Sequence, residues 1–351
     1  METTSKRTTI KDIADELGVS AATVNRALDD RGRISSEMKA RVLEKADKMG
    51  YRPNSLARTL GKNKPVKIAA LLPGGFEFWK QIRDGVYDSV AEWLDFNVDV
   101  LFCDDYYEDN ITHQLGLLER QKQSSIDGVL VVPFSAHIFR KPIDMLVSSG
   151  VPVVTVNRDC PDSGRLCYVG ENAYGMGYTV GTAYLRFLRD GDSVAVLSVD
   201  SREAQIMSRT KGFLDALTGH EGDIRIVEHI HSESGSSVYD VIAASFKEYP
   251  NIKAVFANTA QGAYWVADAK RDLSLSFLLS GIDVAEKCLS YIDQKLIDFT
   301  VSQNPYSQGY NAARVLCNYL IKGETPLEEH VFTNVEIIMD RNHYMMNWKK
   351  M

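Results

Sequence analysis

Residues 9–60 run TIKDIADELGVSAATVNRALDDRGRISSEMKARVLEKADKMGYRPNSLARTL, and the punctuation of this stretch decides how the chain begins. Thr9 stands where it can cap a first helix in which Ile10, Ile13, Ala14 and Leu17 recur at i, i+3, i+4 and i+7. That spacing gives one apolar face, and Asp12 is placed to reach back to the cap. Gly18 supplies a left-handed residue to end the helix, Val19 packs beneath, and Ser20 caps a second helix. Ser35 opens a third, whose Met38, Val42, Ala46 and Met49 can cover the first two. The expected unit is a helix-turn-helix closed by a third helix.

Many helical hairpins share this spacing without touching DNA, so the flanks matter. The motifs T-I-x-D-[IV]-A and G-V-S-x-x-T-V-x-R-x-L, the Ser35 cap, and G-Y-R-P-N followed by L-A-R-T-L occur here in order. Together they closely resemble the headpiece of the LacI/GalR repressors. The rest of the chain resembles that family only at scattered positions. The resemblance implies that Ser20, Ala21, Ala22, Thr23, Asn25 and Arg26 meet operator DNA. It also implies that Asn54, Ala57 and Leu60 belong to a hinge helix that pairs over the minor groove, with Leu60 as the wedge between bases. Alone, Ser55 to Gly61 is too short to offset helix nucleation, so it should order only against a second copy or in a groove. The expected divisions are a headpiece over 1–52, a hinge and linker over 53–65 and a body over 66–345.

Charge is divided along the same line. Through Lys64 there are fourteen Lys and Arg against nine Asp and Glu, which leaves 26 against 38 in the remainder and gives the overall −7. A basic head on an acidic body suits contact with a polyanion through one end only. The start, METTSKRTT, has no apolar run, and nowhere do about eighteen apolar residues follow one another. A soluble, cytoplasmic protein with no membrane partner is expected. Five cysteines, odd in number and without CxxC spacing, point to reduced thiols and not to a disulfide frame or zinc site.

From Val66 the chain alternates. The apolar runs KIAALLP, VDVLFC, GVLVVPF, VPVVTVN, SVAVLSV, KAVFANT and FLLSGID are separated by amphipathic stretches long enough for helices. This βαβ rhythm implies parallel sheets. The resemblance implies two lobes of the type I periplasmic-binding-protein fold, with crossovers near Glu171 and Gln303. The lobes should comprise about 66–171 with 304–330, and 172–303 with 331–345.

Residues just after strands point into the cleft of such a fold. Phe78 and Trp79 are therefore candidates to stack on a ring, and Asn157, Arg158 and Asp159 to offer a polar cluster. Arg209 matches the family's ligand-clasping arginine, and Asn258, Asp283 and Gln303 follow strands where polar contacts are usual. Arginine with carboxylates and amides suits vicinal hydroxyls, and the aromatic pair with SQNPYSQGYNAA resembles sugar-binding transport proteins more than the purine-responsive branch, which implies a sugar or sugar derivative as effector. Where many relatives have Asn-Asp this chain has Asn258-Thr259, which changes a helix cap or cleft acceptor.

Other signals are set aside. Gly175, Gly177 and Gly181 lack the dinucleotide-loop spacing and suit helix packing instead. His229 and His231 alternate on a strand without a third metal ligand. No acid, base and nucleophile can be assembled, so neither catalysis nor a cofactor or metal is expected. The expected whole is a homodimeric regulator, in the usual sense a repressor, of a near-palindromic operator. A sugar-binding module without DNA work is the rival, and residues 9–60 weigh against it. Tetramers are not expected, because no heptad run follows Met339.

Overall fold

The computed structural model describes residues 10–28, 34–49, 65–103, 111–121, 125–199, 203–232, 238–340 and 342. Two compact units result, divided between residues 62 and 63. Thr9, Asn54, Ala57, Leu60 and the tether before Pro65 lie outside the described residues.

The first unit holds α1 (Ile10–Leu17), α2 (Ala21–Leu28) and α3 (Ser36–Lys48). Gly18 has φ +63°, and the Val19 amide returns to the Ala14 carbonyl at 3.0 Å, closing the turn. Ser20 Oγ accepts from the Thr23 amide at 3.2 Å, and Ser35 Oγ from the Met38 amide at 3.2 Å, as capping residues do. Ile13, Ala14, Val24, Ala27, Val42 and Ala46 form the buried centre, flanked by Leu17, Val19, Met38 and Met49.

In the second unit lie β1 (Val66–Leu71), α4 (Glu77–Ala91), β2 (Val98–Phe102), α5 (Ile111–Gln121), β3 (Gly128–Val131), α6 (Ala136–Ser148), β4 (Val153–Val156) and β5 (Cys167–Gly170). There follow α7 (Ala173–Tyr184), β6 (Ser193–Val199), α8 (Ala204–Thr218), β7 (Arg225–Ser232), α9 (Val238–Glu248), β8 (Ile252–Ala257), α10 (Ala260–Asp272), β9 (Leu278–Ile282), α11 (Glu286–Asp293) and β10 (Phe299–Ser302). The chain then forms α12 (Pro305–Cys317), β11 (His330–Phe332) and β12 (Glu336–Met339). One sheet has the order β11-β5-β4-β3-β1-β2 and the other β12-β10-β9-β8-β6-β7. Among the described strand pairs, only β10–β12 is antiparallel. Parallel strands must be covered on both faces. Accordingly Val194 and Val196 pack with Tyr184 and Phe213, while their neighbours Ala195 and Leu197 pack with Val266 and Leu279.

The chain passes between the lobes after β5, after β10 and after β11. The expected third passage at residues 330–331 falls inside β11, which pairs with β5 in the first sheet. The observed passage lies between Phe332 and Glu336. Its Thr333 amide donates to the Gly170 carbonyl at 2.8 Å and its hydroxyl to the Gln303 carbonyl at 2.9 Å, which ties the three connections together.

The first two connections run into helices that repeat one motif. Asn172-Ala-Tyr174-Gly-Met-Gly177-Tyr178 opens α7, and Asn304-Pro-Tyr306-Ser-Gln-Gly309-Tyr310 opens α12. Each asparagine caps its helix, accepting from the amide of Gly175 or Ser307. Gly177 faces the Arg209 carbonyl on α8 and Gly212 faces that of Tyr174; likewise Gly309 faces Ile82 on α4 and Gly85 faces Tyr306, each too closely for a Cβ. Tyr174 and Tyr306 then donate to Asp215 and Asp88 at 3.0 and 2.8 Å. Small-residue packing is thus the role of Gly177 and Gly181, the latter seated against Phe213 and Ala216. Among the described residues no helix is long and apolar enough to cross a membrane.

Gly177→Ala is expected to force α7 from α8 and cost about 1–3 kcal/mol, the usual range for overpacking. Urea unfolding should show a lower midpoint at unchanged slope. A midpoint equal to the parent's would mean that the helices part without loss.

Candidate functional site

Two surfaces carry the residues singled out above. On α2 the buried Val24 and Ala27 fix one face to the core, which leaves Ala21, Ala22 and Arg26 exposed and Thr23 half-buried. Ser20 and Thr23 hydroxyls lie 2.9 Å apart at its start. Arg26 Nε donates to the Ala22 carbonyl at 3.2 Å, so the guanidinium lies along its own helix. The Asn25 side chain is outside the described set.

In the second unit all three connections between lobes leave from carboxyl ends of strands, so the carboxyl ends of both parallel sheets face the same gap. Strand order reverses at β1/β3 in one lobe and β6/β8 in the other, the switch points where such sheets bind ligands. Asn157 Nδ2 donates to Gln303 Oε1 at 3.2 Å, and Gln303 Nε2 donates to Asp283 Oδ1 at 2.6 Å. This chain of amides runs from the end of β4 in one lobe to the end of β9 in the other. Gln308 on α12 joins it, accepting from Asn157 Nδ2 at 3.1 Å and donating to the Gln303 carbonyl at 2.9 Å. Asn157 and Asp283 have φ values of 62° and 72°, a left-handed conformation that amide and carboxylate side chains tolerate better than most.

Arg209 on α8 is 6% exposed and Glu171, just past β5, is 3% exposed. Arg209 Nε donates to Glu171 Oε1 at 2.9 Å, Nη2 donates to the same oxygen, and Nη1 donates to the Asn258 carbonyl at 3.2 Å. Burial opposes the Arg209 charge, yet Glu171, Asp283 and Tyr168 together hold its pKa above the ordinary arginine value. The Tyr168 hydroxyl, its pKa raised by burial and by Glu171 and Asp159, stays a neutral donor within 2.8 Å of the Asn157 carbonyl. Asn258 Nδ2 donates to Thr210 Oγ1 at 2.9 Å.

Arg158 meets Glu203 of the opposite lobe at 2.9 Å and lies over the Phe134 ring, 4.7 Å from its centroid. Since Arg158 and Glu203 are 18% and 36% exposed, solvent screening limits this pair to about 1 kcal/mol or less. It orients the cleft rim; the buried amide chain fastens the interior.

The structure therefore brings Asn157, Arg158, Arg209, Asn258, Asp283 and Gln303 to the inter-lobe gap. Asp159 does not join them. Its Oδ2 accepts from Arg165 Nη2 at 2.7 Å, and its Oδ1 accepts from Arg165 Nε, Thr155 and the Cys160 amide. It serves the loop of its own lobe. Phe78 and Trp79 stand in the first turn of α4, after β1; Trp79 is buried edge-on to Phe78 at 5.0 Å, so the half-buried Phe78 keeps the freer ring face. Thr259 answers the departure at position 259, since its hydroxyl caps α10 by accepting from the Gly262 amide at 3.1 Å. Glu171, Gln308 and Tyr168 were not among the sequence candidates, although Glu171 follows β5 by the same rule that selects Asn157 after β4.

Comparison with known proteins matches this architecture. The model of the family described as bacterial regulatory proteins, lacI family, matches residues 9–54, and that of the periplasmic binding protein domain matches residues 71–325. The ribose operon repressor of Bacillus subtilis is 26% identical, over 92% of this chain and 94% of its own. The xylose/arabinose-binding protein of Sulfolobus acidocaldarius is 24% identical over 64% of this chain. Catabolite control protein A of Priestia megaterium is 30% identical over 42%. The chain spans 60% and 42% of the lengths of these last two relatives. Among solved structures, a periplasmic ribose ABC transporter from Conexibacter woesei has a TM-score of 0.73 at 20% identity, covering 82% of this chain and 97% of its own. A putative LacI transcriptional regulator from Bacteroides fragilis has 0.70 at 20%, covering 81% and 100%. These two likenesses establish the fold. Over more than half of its length the chain belongs to the periplasmic binding protein domain family, and its first residues carry the domain of the bacterial regulatory proteins of the lacI family.

Proposed function

We propose that this chain is a ligand-controlled transcriptional repressor that binds a near-palindromic operator as a homodimer, with a sugar or sugar derivative as effector. The observation that carries the reading is the Asn157–Gln303–Asp283 chain of hydrogen bonds, which joins the lobes at the ligand-binding end of both sheets. A ligand that exchanges hydrogen bonds with these groups binds one lobe arrangement better than another, and that difference is the free energy available for switching. Relatives whose names or titles carry ribose, xylose, arabinose, D-allose and myo-inositol support a polyhydroxyl ligand. The exposed face of α2 supports operator contact.

A thermal-shift screen of the full chain against D-ribose, D-xylose, L-arabinose, D-allose and myo-inositol tests the effector class. A ligand at a hundred times its dissociation constant stabilises by about 2.7 kcal/mol. No shift with any of the five, beside a clear shift with purines or amino acids, would overturn the sugar reading.

Arg209→Ala leaves Glu171 buried without its cation, and loss of one partner of such a pair costs about 3–5 kcal/mol. This variant is expected to melt early as well as to lose effector binding. The double variant Arg209→Met with Glu171→Leu should recover much of the stability, as apolar replacements of buried pairs do, while remaining unresponsive to effector. Recovery of both by the double variant would remove the pair from the ligand site.

Arg26→Ala is expected to cost about 1–3 kcal/mol at one base position and to relax preference there, as loss of a bidentate guanine contact does. Measured on a panel of operator variants, equal weakening on every sequence would mean a phosphate contact instead.

A further inference from the structure

We infer that Glu171 is a specificity-determining residue of the effector cleft, accepting a hydrogen bond from an effector hydroxyl and restricting the site to uncharged ligands. The inference rests on the proposed effector site and names the charge class of its ligand.

Glu171 has two carboxylate oxygens in unlike positions. Oε1 takes both Nε and Nη2 of Arg209. Oε2 is buried and has no hydrogen-bond partner among the described residues. An ionised carboxylate only accepts, and a buried acceptor without a donor is costly. Burial of the side chain to 1% exposure therefore leaves one strong acceptor awaiting a donor. The residue sits where β5 hands the chain to α7, beside Arg209 and with its backbone carbonyl 3.2 Å from the Tyr168 hydroxyl. A donor reaching Oε2 thus touches the connection between lobes directly.

The charge inventory sets the class of donor. At the described cleft, Arg209 lies beside two carboxylates, Glu171 and Asp283, both of which act on its charge. Arg158 is paired with Glu203, and Asp159 is paired with Arg165. Among the described residues, the two cations placed at the cleft, Arg209 and Arg158, face three carboxylates, Glu171, Asp283 and Glu203. Arg209 directs Nε and Nη2 to Glu171 and Nη1 to the Asn258 carbonyl. A phosphorylated ligand would bring a dianion beside these described groups, whose charges sum to a negative value and whose guanidinium groups are already engaged. A neutral hydroxyl supplies the missing proton donor without that repulsion, and Asn157 and Gln303 complement its neighbours as donors and acceptors.

The test titrates the full-length protein calorimetrically with D-ribose, D-xylose and L-arabinose, with ribose 5-phosphate and arabinose 5-phosphate, and with the deoxy analogues of whichever sugar binds. Phosphates are expected to bind at least a hundredfold more weakly than the parent sugars. One deoxy analogue should lose at least tenfold in affinity on the parent protein and less than twofold on Glu171→Gln, because the amide that replaces Oε2 no longer requires that donor. A phosphate that binds as tightly as its sugar overturns the inference while leaving the sugar reading intact. So does a deoxy penalty that is undiminished in Glu171→Gln. If Glu171→Gln does not fold, the same deoxy and phosphate comparison on the parent protein decides: no deoxy penalty at any hydroxyl overturns the inference. If purines bind and none of the sugars does, the sugar reading fails. A purine donates through N–H and brings no sugar hydroxyl to Glu171, so that outcome overturns the inference together with the sugar reading.

Discussion

A buried charge has to be answered where it stands, and in this protein the answer to Arg209 organises the middle of the molecule. Its guanidinium is held by Glu171 on the first connection between lobes and by the Asn258 carbonyl after β8. Its own backbone carbonyl rests on Gly177 at the opening of α7. Moving Glu171 away would leave a charge uncompensated in a low-dielectric interior, at a cost of several kcal/mol against a total stability of about 5–15 kcal/mol, and moving α7 would open the backbone contact that seats α8. The helix contact, the connecting strand and the cleft are therefore a single arrangement.

The repeated Asn-x-Tyr-x-x-Gly-Tyr opening of α7 and α12 explains where movement is permitted. In each lobe glycine lets two helix backbones approach to contact, and a tyrosine–aspartate bond fastens the same pair. Interfaces packed this closely do not deform continuously. Rearrangement is left to the three connecting segments, where Thr333 bonds to both other connections. That is the anatomy of hinge closure between rigid bodies. In lobe 1 the position corresponding to Arg209 is Ile82, so the repeat is structural and the cation is an addition to one copy.

Much of this was legible in the sequence because periodicity reports burial. The three headpiece helices and the long strands such as β6 and β8 announce themselves through spacing. Cys167–Gly170 and Phe299–Ser302, which lead into the connections, are no shorter than β3 and β4, but Tyr168, Gly170, Thr300 and Ser302 interrupt their apolar runs. The rule that residues after strands face the cleft found Asn157, Asn258, Asp283 and Gln303. It failed for Asp159 because Arg165, six residues on, folds back to it, and sequence spacing does not show which way a loop returns. Gln308 lies inside a helix, and its bond to Asn157 spans 151 positions. The aromatic pair was found, but which ring keeps an open face depends on the direction in which α4 starts.

Asn157 and Asp283 are both left-handed, and both follow strands whose carboxyl ends face the gap between the lobes. A β-branched or bulky side chain is strained in that conformation, whereas glycine, asparagine and aspartate enter it readily. Among residues that keep a polar side chain, the repertoire open at these two positions is thus nearly fixed in size and varies mainly in charge. On the proposed effector site, divergence at this pair would proceed by exchanging amide for carboxylate, which replaces an N–H donor by a charged acceptor, while adjustment to bulk would come from the ring-bearing turn of α4.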